Sequence, residues 1–230
     1  MKKILLGLTT AVESDWRERI KEASRLKIRE VSLFLTGVSR NEREDLYALL
    51  DKSTIKSIPH IHLRHDMSLD EMGYLIKKFG TKAFNIHPRA SKYVFPISLV
   101  KYSSMIFVEN SIEETEMIPR VEELEEYGGL CIDFSHWEDG VLCKRPGYNN
   151  FFDLVKKYKI GCSHISAISN KSGMCDGILA YDSHYFRNLQ EFNYIKKYKK
   201  YLVAEFNSLE LTNSFEEQLV AKDYLEKIIA

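Results

Sequence analysis

A single (β/α)8 TIM barrel over residues 1–230 is predicted by three features of the sequence: eight short apolar runs, amphipathic stretches between them, and a first loop with no glycine-rich phosphate turn. The runs are 2–8 (KKILLGL, continuing to Thr9), 29–35, 55–63, 82–88, 104–110, 129–135, 159–166 and 201–207. Each is short enough for a strand and is bounded by polar or turn residues. Near-continuous apolar runs suit parallel strands covered on both faces. A doubly wound open sheet would want G-x-G-x-x-G after the first strand, and GLTTAVESD does not supply it.

The intervals have helical periodicity. SDWRERIKEASRLK places Trp16, Ile20, Ala23 and Leu26 on one face, with Ser14 as the expected cap. SLDEMGYLIKKFG opens on a Ser68-x-x-Glu71 capping box and stops at Gly80. Residues 149–161 and 185–201 have the same character, and the stretch closing the chain opens on Ser214-x-x-Glu217. Pro96 and Pro119 interrupt the fourth and fifth intervals, so helices there are short or begin at the proline.

Composition narrows the function. Thirty-three basic and thirty-three acidic residues cancel, which gives no electrostatic case for nucleic acid or an anionic membrane. The basic run KKYKK (196–200) reads as the solvated face of a helix. Cys131, Cys143, Cys162 and Cys175 form no C-x-x-C pair, so neither a zinc ribbon nor a disulfide scaffold is expected. The N-terminal apolar run is about six residues and meets Glu13 and Asp15, which reads as a strand and not a signal peptide. No run reaches the ~20 apolar residues of a membrane span. A soluble, cytoplasmic protein is the expectation.

The candidate chemistry sits where the runs end. The third carries His60 and His62, the fourth His87, the fifth Glu109, the sixth Asp133 followed by His136, the seventh His164, and the eighth Glu205. A barrel gathers such residues at one mouth. Each buried polar group needs compensation, and a divalent cation compensates several carboxylates and neutral imidazoles together. Glu, Asp and His suit Zn²⁺, Mn²⁺, Fe²⁺ or Co²⁺. His60 and His62 share strand parity, so either could be the third-run ligand.

Glu109, Asp133, His164 and Glu205, in that order on runs five to eight, resemble the shared core of the xylose isomerase-like TIM-barrel superfamily of sugar isomerases, sugar epimerases and endonuclease IV-like abasic-site nucleases. The endonuclease IV-like branch is the closer in ligand pattern, because His60 or His62, His87 in NIHP, Asp133-x-x-His136 and Asp182-x-His184 all have counterparts there. The resemblance implies up to three zinc-like ions. One would take His60 or His62, His87 and Glu109; a second Glu109, Asp133, His164 and Glu205; a third His136, Asp182 and His184. It implies hydrolysis of a phosphate ester or phosphodiester, with Glu109 bridging and Glu205 as a ligand able to accept a proton. Arg64 and Arg89 would hold a phosphate oxygen.

The alternative is a single-metal isomerase or epimerase of a sugar or sugar phosphate, with Glu109 or Glu205 abstracting a proton and Trp137 or Tyr185 stacking on the sugar. The epimerases place an arginine shortly after the strand-seven histidine, and HISAISNKS has none. On the nuclease side, Arg89 stands where a glycine is usual, and the loop after His164 lacks the family signature. A metal-binding barrel without turnover is the third class. The expected partner is a small phosphorylated or sugar substrate; neutral charge does not support nucleic acid.

Overall fold

The computed structural model describes residues 3–11, 13–88, 97–112, 117–175 and 177–230. The strands in chain order are β1 (Lys3–Leu5), β2 (Gly7–Thr9), β3 (Ser32–Phe34), β4 (His60–His62), β5 (Ala83–Ile86), β6 (Ile106–Glu109), β7 (Leu130–Asp133), β8 (Ile160–Ile165), β9 (Ala167–Cys175), β10 (Ile178–Ser183) and β11 (Phe206–Leu209). All but β9 and β10 form one parallel sheet in the order β1-β11-β8-β7-β6-β5-β4-β3-β2. β1 and β2 are two halves of the first strand, parted at Leu6. The first half pairs with β11 and the second with β3, which closes the sheet into the expected α/β barrel.

A side chain completes the closing seam. A Cβ on Gly7 would stand 1.7 Å from the Leu209 carbonyl oxygen, so only glycine fits where the first strand leaves β11. Gln218 then takes over from the ladder. Its Oε1 accepts from the Gly7 N–H at 2.8 Å, and its Nε2 donates to the carbonyl oxygens of Gly7 and Asn213 at 3.0 Å.

The helices are α1 (Trp16–Arg25), α2 (Arg40–Lys52), α3 (Leu69–Phe79), α4 (Val121–Glu126), α5 (Phe134–Leu142), α6 (Phe151–Lys157) and α7 (Phe215–Ile229). They pack a continuous apolar layer against the outside of the barrel. α3 ends at Gly80 in the left-handed region (φ 67°), and Ser214 and Glu217 form the capping box of α7. The cap of α1 is Asp15 and not Ser14, whose hydroxyl donates to the Thr9 carbonyl. Residues Leu189–Tyr201 coil as a 3-10 helix. There Lys196, Lys197, Lys199 and Lys200 are exposed while Tyr198 is buried, as a solvated face requires. Among the described residues no helix is long and apolar enough to cross a membrane.

The barrel interior is layered. Its floor is apolar, built from Leu5, Ala83, Phe107, Cys131, Cys162 and Phe206. Above lie His60, Asn85 and Ser208, joined by hydrogen bonds. The ring of Phe34 stands edge-on to His164, with centroids 4.9 Å apart. The uppermost layer is acidic and imidazole.

Candidate metal centre

The C-terminal ends of the strands deliver the polar side chains. His62 ends β4, His87 follows β5, Glu109 ends β6 and Asp133 ends β7, while His164 lies near the end of β8 and Glu210 follows β11. β9 and β10 form an antiparallel hairpin outside the barrel sheet, and β10 brings Asp182 and then His184 to the same mouth. Asp133 has two local duties. As the N-cap of α5 its Oδ1 accepts from the His136 N–H at 2.7 Å, and it also accepts from the Ser135 hydroxyl at 2.5 Å. Its Oδ2 is left free to face the centre.

Among the described residues four groups have donor atoms within 4.8 Å of one another: His60–Cys131–His164 deeper in the barrel, and three at the mouth, His62–His87–Glu109, His136–Asp182–His184, and Glu109–Asp133–His164–Glu210. Glu109 is shared by two of the mouth groups. Its Oε2 lies 3.4 Å from His62 Nε2, and its Oε1 lies 3.2 Å from His164 Nδ1. His62 Nε2 and His87 Nε2 are 3.2 Å apart. His164 Nδ1 lies 3.2 Å from Glu210 Oε2 and 3.7 Å from Asp133 Oδ2. Asp182 Oδ2 is 3.8 Å from His136 Nε2 and 3.6 Å from His184 Nε2. Donors set tetrahedrally at about 2.0–2.1 Å from a zinc ion stand about 3.3–3.4 Å apart, so these spacings suit shared cations.

The imidazoles are oriented for that role. His62 Nδ1 donates to the Leu63 carbonyl at 2.9 Å and His136 Nδ1 to the Asn110 carbonyl at 3.0 Å, which leaves each Nε2 as a lone-pair donor facing its group. Among the described residues six buried polar side-chain atoms lack a hydrogen-bond partner: Asp133 Oδ2, Tyr158 Oη, His164 Nδ1 and Nε2, Asp182 Oδ1 and His184 Nε2. All but the tyrosine hydroxyl belong to these groups. Buried polar atoms are normally satisfied, and cations in the mouth groups would satisfy Asp133 Oδ2, His164 Nδ1 and His184 Nε2.

The electrostatics without an ion are strained toward charge pairing. Burial alone would lift the Glu109 carboxyl, but His164 and His62 outweigh it and hold it well below the usual carboxylate range. Burial would likewise lift Glu210, yet His184 and His164 bring it down to about 2. Burial would lower His136, but Asp133, Asp182 and Glu109 raise it to about 10. For Asp182 burial prevails over His184 and His136, and its pKa rises to about 6.

Several expected site residues are placed elsewhere. Glu205 is not at the mouth. It precedes β11 at the opposite rim, is exposed, and faces Lys82 at 3.4 Å. The true β11 carboxylate is Glu210, buried and 3.2 Å from His164. Phe206 lies in the floor, Ser208 bonds His60, and Glu210 reaches the top, so the inward residues here are even-numbered. His60 lies one layer below the mouth, with Nδ1 2.7 Å from Ser208 Oγ and Nε2 3.0 Å from Asn85 Oδ1. His62 is therefore the residue in the first group. Asn85, not foreseen, passes the contact on by donating to Glu109 Oε2 at 2.5 Å.

Trp137 is buried against Phe151, Tyr198 and Tyr201, so it cannot stack on a ligand at the mouth. Tyr185 is exposed beside His184 and does not line the cavity. Arg64 does line it, but its guanidinium is engaged by the Thr36 carbonyl at 2.8 Å and Asp66 at 3.1 Å. Arg89 lies outside the described residues. The cavity above the groups is about 390 Å³, and His62, His87, Glu109, His136, His184 and Glu210 line it. That volume admits a small molecule or one extruded group.

No protein-family model and no curated protein matches the sequence. Nine chains of solved structures match by fold. They include the IolI protein, titled as a crystal structure with a binding zinc atom, at 15% identity and a TM-score of 0.47 over 97% of this chain and 95% of that one. Thiamine phosphate pyrophosphorylase from Pyrococcus furiosus also matches, at 12% identity and a TM-score of 0.47 over 99% of this chain and 95% of that one.

Proposed function

We propose that the protein is a divalent-metal-dependent hydrolase of a small phosphate ester or phosphodiester, endonuclease IV-like in its ligand set and holding up to three zinc-like ions. The observation that carries this reading is the set of orphaned atoms on Asp133, His164, Asp182 and His184, which spans two of the three groups. Bound cations would bring the pKa of water toward neutrality and offset charge on a phosphoryl group. Charge arithmetic favours an anionic substrate. Three dications carry six positive charges, and Glu109, Asp133, Asp182 and Glu210 carry four negative ones, leaving two positive. Glu109 holds two groups in fixed relation through its separate oxygens, and Asn85 fixes its rotamer. Glu210 faces the cavity and takes the proton-accepting role expected of Glu205.

A second reading, sugar or sugar phosphate isomerisation on one cation, is supported by the Glu109–Asp133–His164–Glu210 group. That group is wholly buried and has four donors of its own. One dication against its three carboxylates leaves a net negative charge, which suits a neutral sugar better than a phosphate.

The test strips the protein with chelator, restores Zn²⁺, Mn²⁺ or Co²⁺ stepwise, and follows two assays. Hydrolysis of bis(p-nitrophenyl) phosphate or an abasic-site oligonucleotide that appears only beyond one equivalent of metal supports the hydrolase. Conversion within a panel of aldoses, ketoses and their phosphates at one equivalent replaces it with the isomerase. Metal uptake with neither reaction leaves a non-catalytic binding barrel.

A further inference from the structure

β10 carries Asp182, yet it belongs to the hairpin and not to the barrel sheet. Its ladder is also irregular here, with a register shift between Ala180 and Asp182. The barrel ladder therefore does not set the distance from Asp182 to His136, which rides on α5. One buried side chain does span that gap. Asp139 stands one turn beyond His136, on the face shared by Asp133 and His136 at i, i+3 spacing. It is fully buried, and its Oδ2 accepts from the Tyr181 N–H at 2.5 Å and the Asp182 N–H at 3.2 Å. Its Oδ1 accepts from Arg145 Nε at 2.7 Å, and Arg145 Nη2 donates to the Leu179 carbonyl at 2.6 Å.

We propose that Asp139, braced by Arg145, is a positioning residue that holds β10 against α5 and so sets the His136–Asp182–His184 group for its cation. The inference rests on the three-cation reading above. Asp139 touches no substrate and offers no donor to the group; it acts through the backbone of its neighbours. A backbone amide pair on one carboxylate oxygen is a stiff link, and partners that orient metal ligands typically change affinity by about 10–100-fold when removed.

The test uses the full chain, stripped and reloaded with Zn²⁺, with bound ions counted by mass spectrometry and the weakest site titrated against a chelator. Wild type should hold three ions. Asp139→Ala should hold two at low free Zn²⁺ and regain the third only at about 100-fold higher free metal, with the other two affinities unchanged. Asp139→Asn keeps one acceptor for the amides but turns a donor toward Arg145. It should weaken the third site by about tenfold, and it keeps the test readable should the alanine variant fail to fold. Arg145→Lys should resemble it. Variants with a lower melting temperature but three ions at wild-type affinity would overturn the brace and leave the three-cation reading standing. A wild type that never exceeds one ion would overturn both, so the two failures are told apart.

Discussion

Replacing Glu109 by glutamine changes one atom and tests how the groups are joined. Asn85 Nδ2 donates to Glu109 Oε2 at 2.5 Å, so it dictates which way the new amide turns. The amide oxygen must take the Oε2 position, and the NH₂ must take that of Oε1, 3.2 Å from His164 Nδ1 and 3.7 Å from His136 Nδ1. The His62–His87 group then keeps an uncharged oxygen, while the four-residue group loses a donor and gains an N–H aimed at its centre. Loss of an orienting partner alone lowers metal affinity by about 10–100-fold. Loss of the ligand itself should exceed the upper figure, and tenfold is about 1.4 kcal/mol. The four-residue group should weaken by more than about 3 kcal/mol, and hydrolysis should fall by about 10²–10³-fold or more, the scale of removing one stabilising donor from a reaction site. The assay is ion counting after desalting, with a chelator titration and initial rates beside it. Glu109→Gln with the full wild-type complement at unchanged affinity would refute the shared carboxylate.

Three further outcomes are expected. Glu210→Gln should abolish most metal binding by the four-residue group and most activity, whereas Glu205→Gln, at an exposed contact with Lys82, should leave both unchanged and shift stability by less than about 1 kcal/mol; kinetics and ion counts on the pair check it. Gln218→Leu keeps the volume but strands the Gly7 N–H, at about 1–3 kcal/mol for each buried group left without a partner, lowering the melting temperature several degrees in calorimetry. In metal-free protein, His136 is raised from 6.5 to about 10 by Asp133, Asp182 and Glu109 overcoming burial. That contribution is complete below pH 6.5 and lost as pH rises through about 10, while Glu210, lowered from 4.5 to about 2, adds stability that is lost on acidification through about 2. Asp182, raised from 3.8 to about 6 by burial, contributes stability that is lost as pH rises through about 6 and so adds to the decline. Melting curves of metal-free protein should therefore fall continuously above pH 6.5, and metal loading should remove that alkaline decline.

Much of this was readable from residue order because parallel barrel strands are apolar until they reach the mouth, where a polar residue is conspicuous. His87, Glu109, Asp133 and His164 each stand at such a transition. Run eight misled because LVAEFNSLEL holds two apolar frames five residues apart, each with a glutamate. Only the pairing of Phe206 with Cys162 and Ser208 with His164 fixes the frame, and pairing is a tertiary fact. His60 and His62 share parity, so their difference is height, which depends on the stagger between strands. The helix Arg40–Lys52 carries its own sequence signal, because Ser39 and Glu42 form its capping box. The β9–β10 hairpin was invisible because the loop after His164 has no clean alternation, and with it went the signal for Asp139.

The Gln218 seam has a consequence for assembly. Gly7 and Gln218 lie 211 residues apart in the chain. The cylinder can shut only after everything between them has found its place, which makes closure a late, long-range event and puts it under the control of the final helix. A nascent chain stalled before β11 would leave β1 and β8 as unpaired strand edges of the kind that draws in other chains.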